Sequence, residues 1–401
     1  MRKIPALLTL GSLLAGVAQA QEIRLAGVVQ LWYTQMLDAA LRAQAPAGSA
    51  GAGTPAYYPL NGAFRENGFA VRRAEVYLLG RLSPSLSWAV AFDPNISTGI
   101  LADATLTWAP HPQLSVRMGQ FKPLQGYEGT IVTAPNLLFY DRSMLARQFG
   151  DKWDRGAVAT WVATGPGLEW RWSAGVFNGA ARSADLNARK DWVARVEAEG
   201  QGGWRAGVYG LTGRSDQAEG SGTVALSLPG VGAPDAATVR GDFDATSNLG
   251  FYAVLDRGPW HAEVEAMGGR LGRRYPTLGP APGGPAQRQH LDQRYLGWVV
   301  TAVWRRGLHA LTARYDVMDY NAGNAWYGTT SPYRTATADL TPRFTEMVLG
   351  WNRFLAGEAR WRTVHAKLNL VRRTGPVLLP AAGASGARAG NSLVAVLQVG
   401  F

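Results

Sequence analysis

The chain has 401 residues, no cysteine, 49 glycines and a formal charge of +11. After the first 20 residues it contains no apolar run of about 18 residues, which excludes a helical membrane protein. Without cysteine it can have neither a disulfide framework nor thiol chemistry. No linker, charge block or low-complexity tract separates independent cores, so we expect one large domain.

The first twenty residues have the pattern of a secretory leader. Arg2 and Lys3 precede a short apolar stretch, which ends in the small residues Ala18-Gln19-Ala20. This pattern predicts a signal peptide over residues 1–20, because a membrane anchor would need a longer apolar run and no cleavage site. The mature domain is then 21–401, and loss of Arg2 and Lys3 lowers its formal charge by two, to +9.

The mature chain begins with two strand-like segments. Glu22–Leu37 is rich in aromatic and β-branched residues, and Gly68–Leu82 alternates regularly between two faces. Arg73 and Glu75 fall on one face of the second segment, so we expect that face to contact water. The residues between the two segments are rich in proline and glycine, which is typical of a long loop.

Arg72 and Arg73 are consecutive, and consecutive residues of a strand point to opposite faces. Arg73 should therefore point inward, whereas Arg72 should face lipid or a subunit interface unless a β-bulge re-aims it. Two interpretations of these arginines stay open. They either line a permeation path, or they pair with Glu75 and other inward carboxylates to hold a loop in place.

The alternation continues through Leu101–Pro110 and Gln113–Phe121, where Arg117 should point inward, and then stops. Lys122–Lys152 is long and irregular, and the spacing within Asn136–Phe149 favours a helix. Long irregular stretches are usually functional, and non-helical backbone at membrane depth persists only where it lines a water-filled cavity. We therefore predict that this segment folds into the lumen of a barrel.

Period-two segments resume after the loop and continue to the end of the chain. Short turns such as Arg306-Gly307 alternate with long loops, which is the asymmetry of an outer-membrane barrel. The pattern predicts about 16 antiparallel strands in an all-β transmembrane barrel. The other predicted strands are Leu86–Pro94, Asp154–Thr164, Leu168–Asn178, Ala188–Glu199, Gly203–Gly213, Ala245–Arg257, Trp260–Leu271, His290–Arg305, Leu308–Tyr320, Thr341–Phe354 and Glu358–Arg372, with long loops at Ser215–Asp244, Gly272–Gln289, Asn321–Leu340 and Thr374–Gly390.

The last segment, Asn391–Phe401, has the length of about 9–11 residues that a tilted strand needs to cross a bilayer. Only a closed cylinder leaves no unpaired strand edge in lipid. We therefore predict that this strand pairs with Glu22–Leu37 and closes the barrel. Its apolar outward face should consist of Leu393, Ala395, Leu397, Val399 and Phe401.

The sequence offers little support for catalysis. Its five histidines are scattered without metal-ligand spacing, and Ser143 beside Asp141 has no nearby histidine. A barrel enzyme or adhesin without a through-pore would need such a pair or large ordered outer loops. We expect no enzyme activity, cofactor, metal or nucleic-acid partner, and we expect the dispersed tryptophans and tyrosines to form girdles at the membrane interfaces.

Several motifs, in their order along the chain, resemble the phosphate-selective porin O and P family. The resemblance covers Gly68–Val176 and Thr345 to the end. The motifs are Arg72-Arg73-Ala74-Glu75, Arg117-Met118-Gly119-Gln120-Phe121-Lys122-Pro123, Asp141-Arg142-Ser143, Asp154-Arg155-Gly156 and Leu349-Gly350-Trp351-Asn352.

The resemblance implies a 16-stranded trimeric porin of a Gram-negative-type outer membrane, in which basic side chains select small anions, phosphate among them. It also implies contact with outer-membrane lipid and delivery to the barrel-assembly machinery through the C-terminal strand. A general or sugar-passing porin on the same scaffold is the alternative, because fold does not fix function. The candidate pore-lining, anion-binding residues are Arg72, Arg73, Arg117, Lys122, Arg142 and Arg147.

Overall fold

In a computed structural model the chain forms a closed barrel of sixteen antiparallel strands, as the sequence predicted. The structure describes residues 22–37, 67–94, 99–182, 185, 189–214, 245–276, 290–319, 322, 343–355, 364–378 and 385–401. The predicted leader and most residues of the predicted long loops lie outside these ranges. The strands are β1 Glu22–Met36, β2 Gly68–Ser83, β3 Leu86–Phe92, β4 Leu101–His111, β5 Leu114–Phe121, β6 Asp154–Gly165, β7 Leu168–Phe177, β8 Asp191–Gly200, β9 Trp204–Arg214, β10 Ala245–Arg257, β11 Trp260–Pro276, β12 His290–Arg306, β13 His309–Asp319, β14 Arg343–Phe354, β15 Val364–Leu378 and β16 Ser385–Gly400.

The barrel closes between its first and last strands. β1 and β16 pair without a register shift from Val28 opposite Gly400 to Met36 opposite Ser392. Beyond the ladder, the Gly27 amide donates to Phe401 O at 2.8 Å and the Phe401 amide donates to Gly27 O at 3.0 Å. The predicted pairing of Glu22–Leu37 with Asn391–Phe401 is confirmed.

Burial alternates along the strands with period two. In β16 Val394, Val396 and Gln398 are buried towards the lumen, whereas Leu397 and Val399 are exposed on the outer surface. In β8 Trp192 and Val196 are exposed, and the alternate residues Val193, Arg195 and Glu197 are buried. The outer face is apolar because lipid covers it, and the inner face carries the polar side chains.

Short turns occupy one end of the barrel. Gly167, Gly203, Gly258 and Gly307 adopt positive φ in four of them, a conformation in which glycine has no steric cost. Exposed tryptophans lie within a few residues of these turns and form the interfacial girdle that we expected. They include Trp161, Trp170, Trp204 and Trp260.

The sequence misplaced the end of the last hairpin. Residues Thr374–Gly390 were predicted to form a loop, but β15 and β16 remain paired from Thr374 opposite Ala389 to Leu378 opposite Ser385. The glycine- and proline-rich composition of these residues predicted a loop. Ladder hydrogen bonds join backbone groups, however, so strands can pair on the barrel rim in sequence of this composition. The predicted turn at Ala356-Gly357 lies outside the described residues.

Apolar contacts form in the polar lumen where the long segment between β5 and β6 folds into it. Met144 and Leu145 of this segment pack with Tyr209, Tyr252 and Met267 of the wall. Tyr140 packs in a second cluster beside the seam between β1 and β16. Among the described residues, no helix is long and apolar enough to cross a membrane.

Candidate functional site: the constriction loop

Residues 122–153 connect β5 to β6 and fold into the lumen, as predicted; we call them the constriction loop. The predicted helix over Asn136–Phe149 is largely wrong. The loop contains a one-turn helix, α1 (Tyr127–Thr130), a 3-10 turn (Ala134–Asn136) and a π-helical turn (Ala146–Gly150). Most of the remaining backbone is extended or irregular, and its polar groups bond partly to the wall, as Leu138 O does to Asn352, and partly within the loop, as the Ser143 amide does to Glu128.

The first anchor of the loop is Asp141, which both arginines of the early strand contact. Arg72 Nη2 and Arg73 Nη2 lie 2.9 and 3.0 Å from its two carboxylate oxygens. The pairing of β1 with β2 skips Arg72, since Gln30 lies opposite Arg73 and Leu31 lies opposite Val71. This β-bulge turns Arg72 away from lipid, which is the exception that the sequence argument allowed.

Asp151 is the second anchor, near the end of the loop. Lys122 Nζ lies 2.5 Å from its carboxylate, Arg142 Nε 3.4 Å and Arg73 Nη2 3.8 Å. Burial alone would raise the pKa of Asp151, but these three cations outweigh burial and hold it well below its usual value. Burial is likewise outweighed at Asp141, where Arg72, Arg73 and Arg147 lower the pKa.

Glu346 on β14 is a wall carboxylate that receives the loop. Arg147 Nη2 lies 3.2 Å from it, Arg314 Nη2 3.0 Å and Arg373 Nε 2.9 Å. The hydroxyl of Tyr140 donates to the same carboxylate at 2.8 Å. All of these groups are buried, so one carboxylate neutralises part of a cluster of three guanidinium groups drawn from the loop and two strands.

Sequence reasoning missed Glu346, Arg314 and Arg373. Their only sequence signal was period-two alternation, which places Arg314 and Glu346 on the polar inner faces of β13 and β14. Alternation does not identify partners, since Arg147 and Glu346 are separated by 199 residues in sequence. Arg182 was also missed; its guanidinium carbon lies 4.9 Å from the centre of the Trp153 ring.

Three further inward glutamates are buried and accept hydrogen bonds from tyrosine hydroxyls. Tyr252 donates to Glu197 at 2.5 Å and Tyr209 donates to Glu265 at 2.7 Å. Tyr77 donates to Glu75 in the same way. Glu265 also accepts from the amide of Tyr127 at 3.1 Å, which fixes the start of α1. Water in the lumen therefore has little access to these negative charges.

Charged side chains retain exposure along the wall formed by β4 to β7, which we call the open wall. Arg117 on β5 has a side chain that is 41% exposed, and its nearest carboxylate, Asp103, lies 3.9 Å away. Arg171 on β7 is 35% exposed and contacts Glu169 at 2.7 Å. The constriction loop also contacts this wall, since Trp153 Nε1 donates to Asp103 Oδ1 at 3.0 Å and Leu124 packs against the cluster that contains Val158 and Phe177.

The six predicted site residues fall into two groups. Arg72, Arg73, Lys122, Arg142 and Arg147 belong to one network, joined through Asp141 and Asp151. Arg117 lies apart, on the open wall. Three members of the network are at most 3% exposed, namely Arg73, Arg142 and Arg147.

No group of three or more potential metal-ligating side chains occurs among the described residues. The histidines follow the scattered pattern of the sequence: His365 is buried, whereas His261 contacts Asp256 at the short-turn end of the barrel, at 2.9 Å. The chemistry of the constriction is therefore that of charged and hydrogen-bonding side chains around a wet passage.

Comparison with known proteins supports the family resemblance that the sequence motifs indicate. A family model described as phosphate-selective porin O and P matches residues 56–333. Among curated protein sequences, none matches the chain.

Several solved structures share the fold at low sequence identity. OmpT of Vibrio cholerae, in a trimer form, aligns with a TM-score of 0.56 and 11% identity over 96% of this chain and 100% of its own. The outer-membrane channel DcaP of Acinetobacter baumannii gives a TM-score of 0.57 and 9% identity over 96% and 98% of the two chains. An anion-selective porin from Comamonas acidovorans gives 0.54 and 12% over 95% and 100%.

Proposed function

This chain belongs to the phosphate-selective porin O and P family, and from that premise we propose that small anions diffuse passively through its barrel, with phosphate among them. As a porin, it resides in the outer membrane. The proposal concerns what passes through it and which side chains decide this.

The burial of four lumenal glutamates and the accessibility of Arg117 support an anion preference. Glu75, Glu197, Glu265 and Glu346 are buried and accept hydrogen bonds from tyrosines. Arg117 projects from the open wall with the most exposed of the charged side chains described at the constriction. An anion beside Arg117 would meet a positive charge that is more exposed than its partner Asp103, at 41% against 25%, whereas these four glutamates are shielded from it.

We propose different roles for the six basic candidates. Arg117, Arg72 and Lys122 have solvent-accessible side chains and would contact the passing anion. A guanidinium fork can meet two oxygens of an oxyanion at once, and partial pairing with Asp103 or Asp141 would prevent the anion from binding too tightly to leave. The buried residues Arg73, Arg142 and Arg147 would hold the loop that narrows the passage.

We further propose that residues 1–20 are removed on export and that the mature chain assembles as a homotrimer in contact with outer-membrane lipid. The trimer form of OmpT, which shares the fold, supports this assembly. The outward apolar face of β16 and its terminal Phe401 provide the strand that the barrel-assembly machinery would recognise.

Reversal potentials in planar bilayers test the proposal. We expect ohmic single-channel steps and a permeability for chloride and phosphate that exceeds that for potassium. A preference for potassium would refute anion selection. Equal permeability of both ions, together with swelling of liposomes in neutral sugars, would favour the general or sugar-passing porin instead.

A further inference from the structure

One segment of the constriction loop is attached to the wall by main-chain carbonyl groups. Residues 135–140, which we call the strap, include Leu137 in an extended conformation. Side chains of the wall donate hydrogen bonds to four of its main-chain carbonyl oxygens. The bonds run from Gln398 Nε2 to Pro135 O at 2.7 Å, from Lys367 Nζ to Leu137 O at 2.5 Å and Phe139 O at 3.0 Å, and from Asn352 Nδ2 to Leu138 O at 2.9 Å.

These donors lie on adjacent strands beside the closing seam. Asn352 on β14 is directly opposite Lys367 on β15, and Gln398 on β16 is directly opposite Gln30 on β1. Gln30 Nε2 donates to Gln398 Oε1 at 3.0 Å, which joins the two sides of the seam beneath the strap. The strap therefore crosses the line where the barrel closes.

Lys367 is central to this attachment. Its side chain is buried, and its third bond is to Gln398 Oε1, at 3.0 Å. All three oxygens that accept from it are neutral, so hydrogen bonds replace the water that an ammonium group otherwise needs. Two of these three acceptor oxygens belong to the strap. Lifting the strap would therefore deprive a buried charge of most of its solvation, and this cost keeps the strap in place.

We propose that Lys367 is a positioning residue that fixes the strap to the seam and thereby sets the cross-section of the passage beside the strap. This inference rests on the proposed function, because it concerns the width of the same passage. Lys367 acts without touching the passing anion, since the strap lies between it and the lumen. In the rest of the loop, ion pairs at Asp141, Asp151 and Glu346 provide the attachment.

Replacing Lys367 by Met tests the proposal, because Met keeps the length of the side chain and removes its three bonds. We expect greater open-channel noise, a broader spread of single-channel conductance and a reduced anion preference. Lys367→Arg retains a donor and should restore narrow steps. Arg372→Met is the matched control, since Arg372 is an exposed residue on the outer face of the same strand. Wild-type conductance, noise and selectivity in Lys367→Met would overturn the proposal.

A second measurement reports the position of the strap directly. The chain has no cysteine, so Leu138→Cys provides a single thiol. Labelling by a water-soluble methanethiosulfonate should be at least about tenfold faster when Lys367→Met is added, as expected from losing a hydrogen bond to a charged group. An unchanged rate in folded, heat-modifiable protein would contradict the proposal.

The Gln398→Leu variant replaces Lys367→Met in both measurements if the latter does not fold. It removes the bond to Pro135 and one acceptor of Lys367. The labelling rate does not depend on ion selectivity. A wild-type channel without anion preference would therefore refute the proposed function, whereas an unchanged labelling rate would refute the positioning role alone.

Discussion

Arg72 and Arg73 are neighbours on β2, at a β-bulge, yet both guanidinium groups contact the carboxylate of Asp141. In a regular strand they would point to opposite faces. The bulge brings two positive charges to one carboxylate, and this carboxylate belongs to the constriction loop. The strand irregularity is thus part of how the loop is held.

Reversal of the charge of Arg117 should shift the ion selectivity of the channel. Arg117→Glu places a carboxylate on the open wall beside Asp103, so we expect the reversal potential to move towards that of the cation. Arg257→Glu, at an exposed position next to a short turn, is the control and should cause a much smaller shift. No shift in Arg117→Glu would remove this residue from the permeation path.

Replacing Asp141 by Asn should destabilise the docked loop strongly. Removing one partner of a buried ion pair costs about 3–5 kcal/mol, and here Arg73 and Arg147 keep part of their compensation from Glu75 and Glu346, so we expect the lower end of this range. Asp256→Asn, which affects an exposed pair with His261, should cost at most about 1 kcal/mol. Urea unfolding of the refolded barrel would measure both changes. Similar midpoints for the two variants would contradict this assignment.

The docked loop should resist moderate acid. The pKa values of Asp141 and Asp151 are lowered in the folded protein, so their ion pairs stabilise it fully above the unfolded pKa of about 4. This contribution is lost only as the pH falls through the lower, folded pKa values. We expect constant single-channel conductance from pH 7 to about pH 4 and a change below it. Loop release between pH 7 and pH 5 would show that these carboxylates do not hold it.

Gly129→Ala should disturb the fold of the loop. A Cβ at Gly129 would lie 2.4 Å from Gly150 Cα, so α1 and the π-helical turn could not keep their close backbone contact. Overpacking of this kind costs about 1–3 kcal/mol. Gly165→Ala is the control, because its nearest atom would lie at an ordinary 3.8 Å. Equal thermal stability and equal channel noise in the two variants would refute the expected clash.

The barrel could be predicted from the sequence because strand geometry leaves a local record. Alternation along β8 or β16 directly separates lipid-facing from lumen-facing residues, and the need to pair every edge determines the closure. A short apolar strand end such as Leu397 to Phe401 therefore carries information about a partner several hundred residues away.

The contacts of the constriction could not be predicted in the same way. Arg147 bonds to Glu346 and Lys367 bonds to Leu137, and neither pair leaves a periodic signal. The apolar residues of the loop, such as Tyr140 and Leu145, pack against different parts of the wall. These contacts place apolar residues at intervals along the loop sequence that are similar to those of a helix. The bulge at Arg72 depends on the register of β1, which the sequence of β2 alone does not contain.

The pairing of β1 with β16 has a consequence for biogenesis. Every other pair joins strands that follow one another in the chain, whereas Val28 has to find Gly400. Fifteen pairs of consecutive strands can form in chain order, but the cylinder can close only after β16 has been synthesised. Until then the edges of β1 and of the most recently formed strand have no ladder partner, and such edges can pair with other chains.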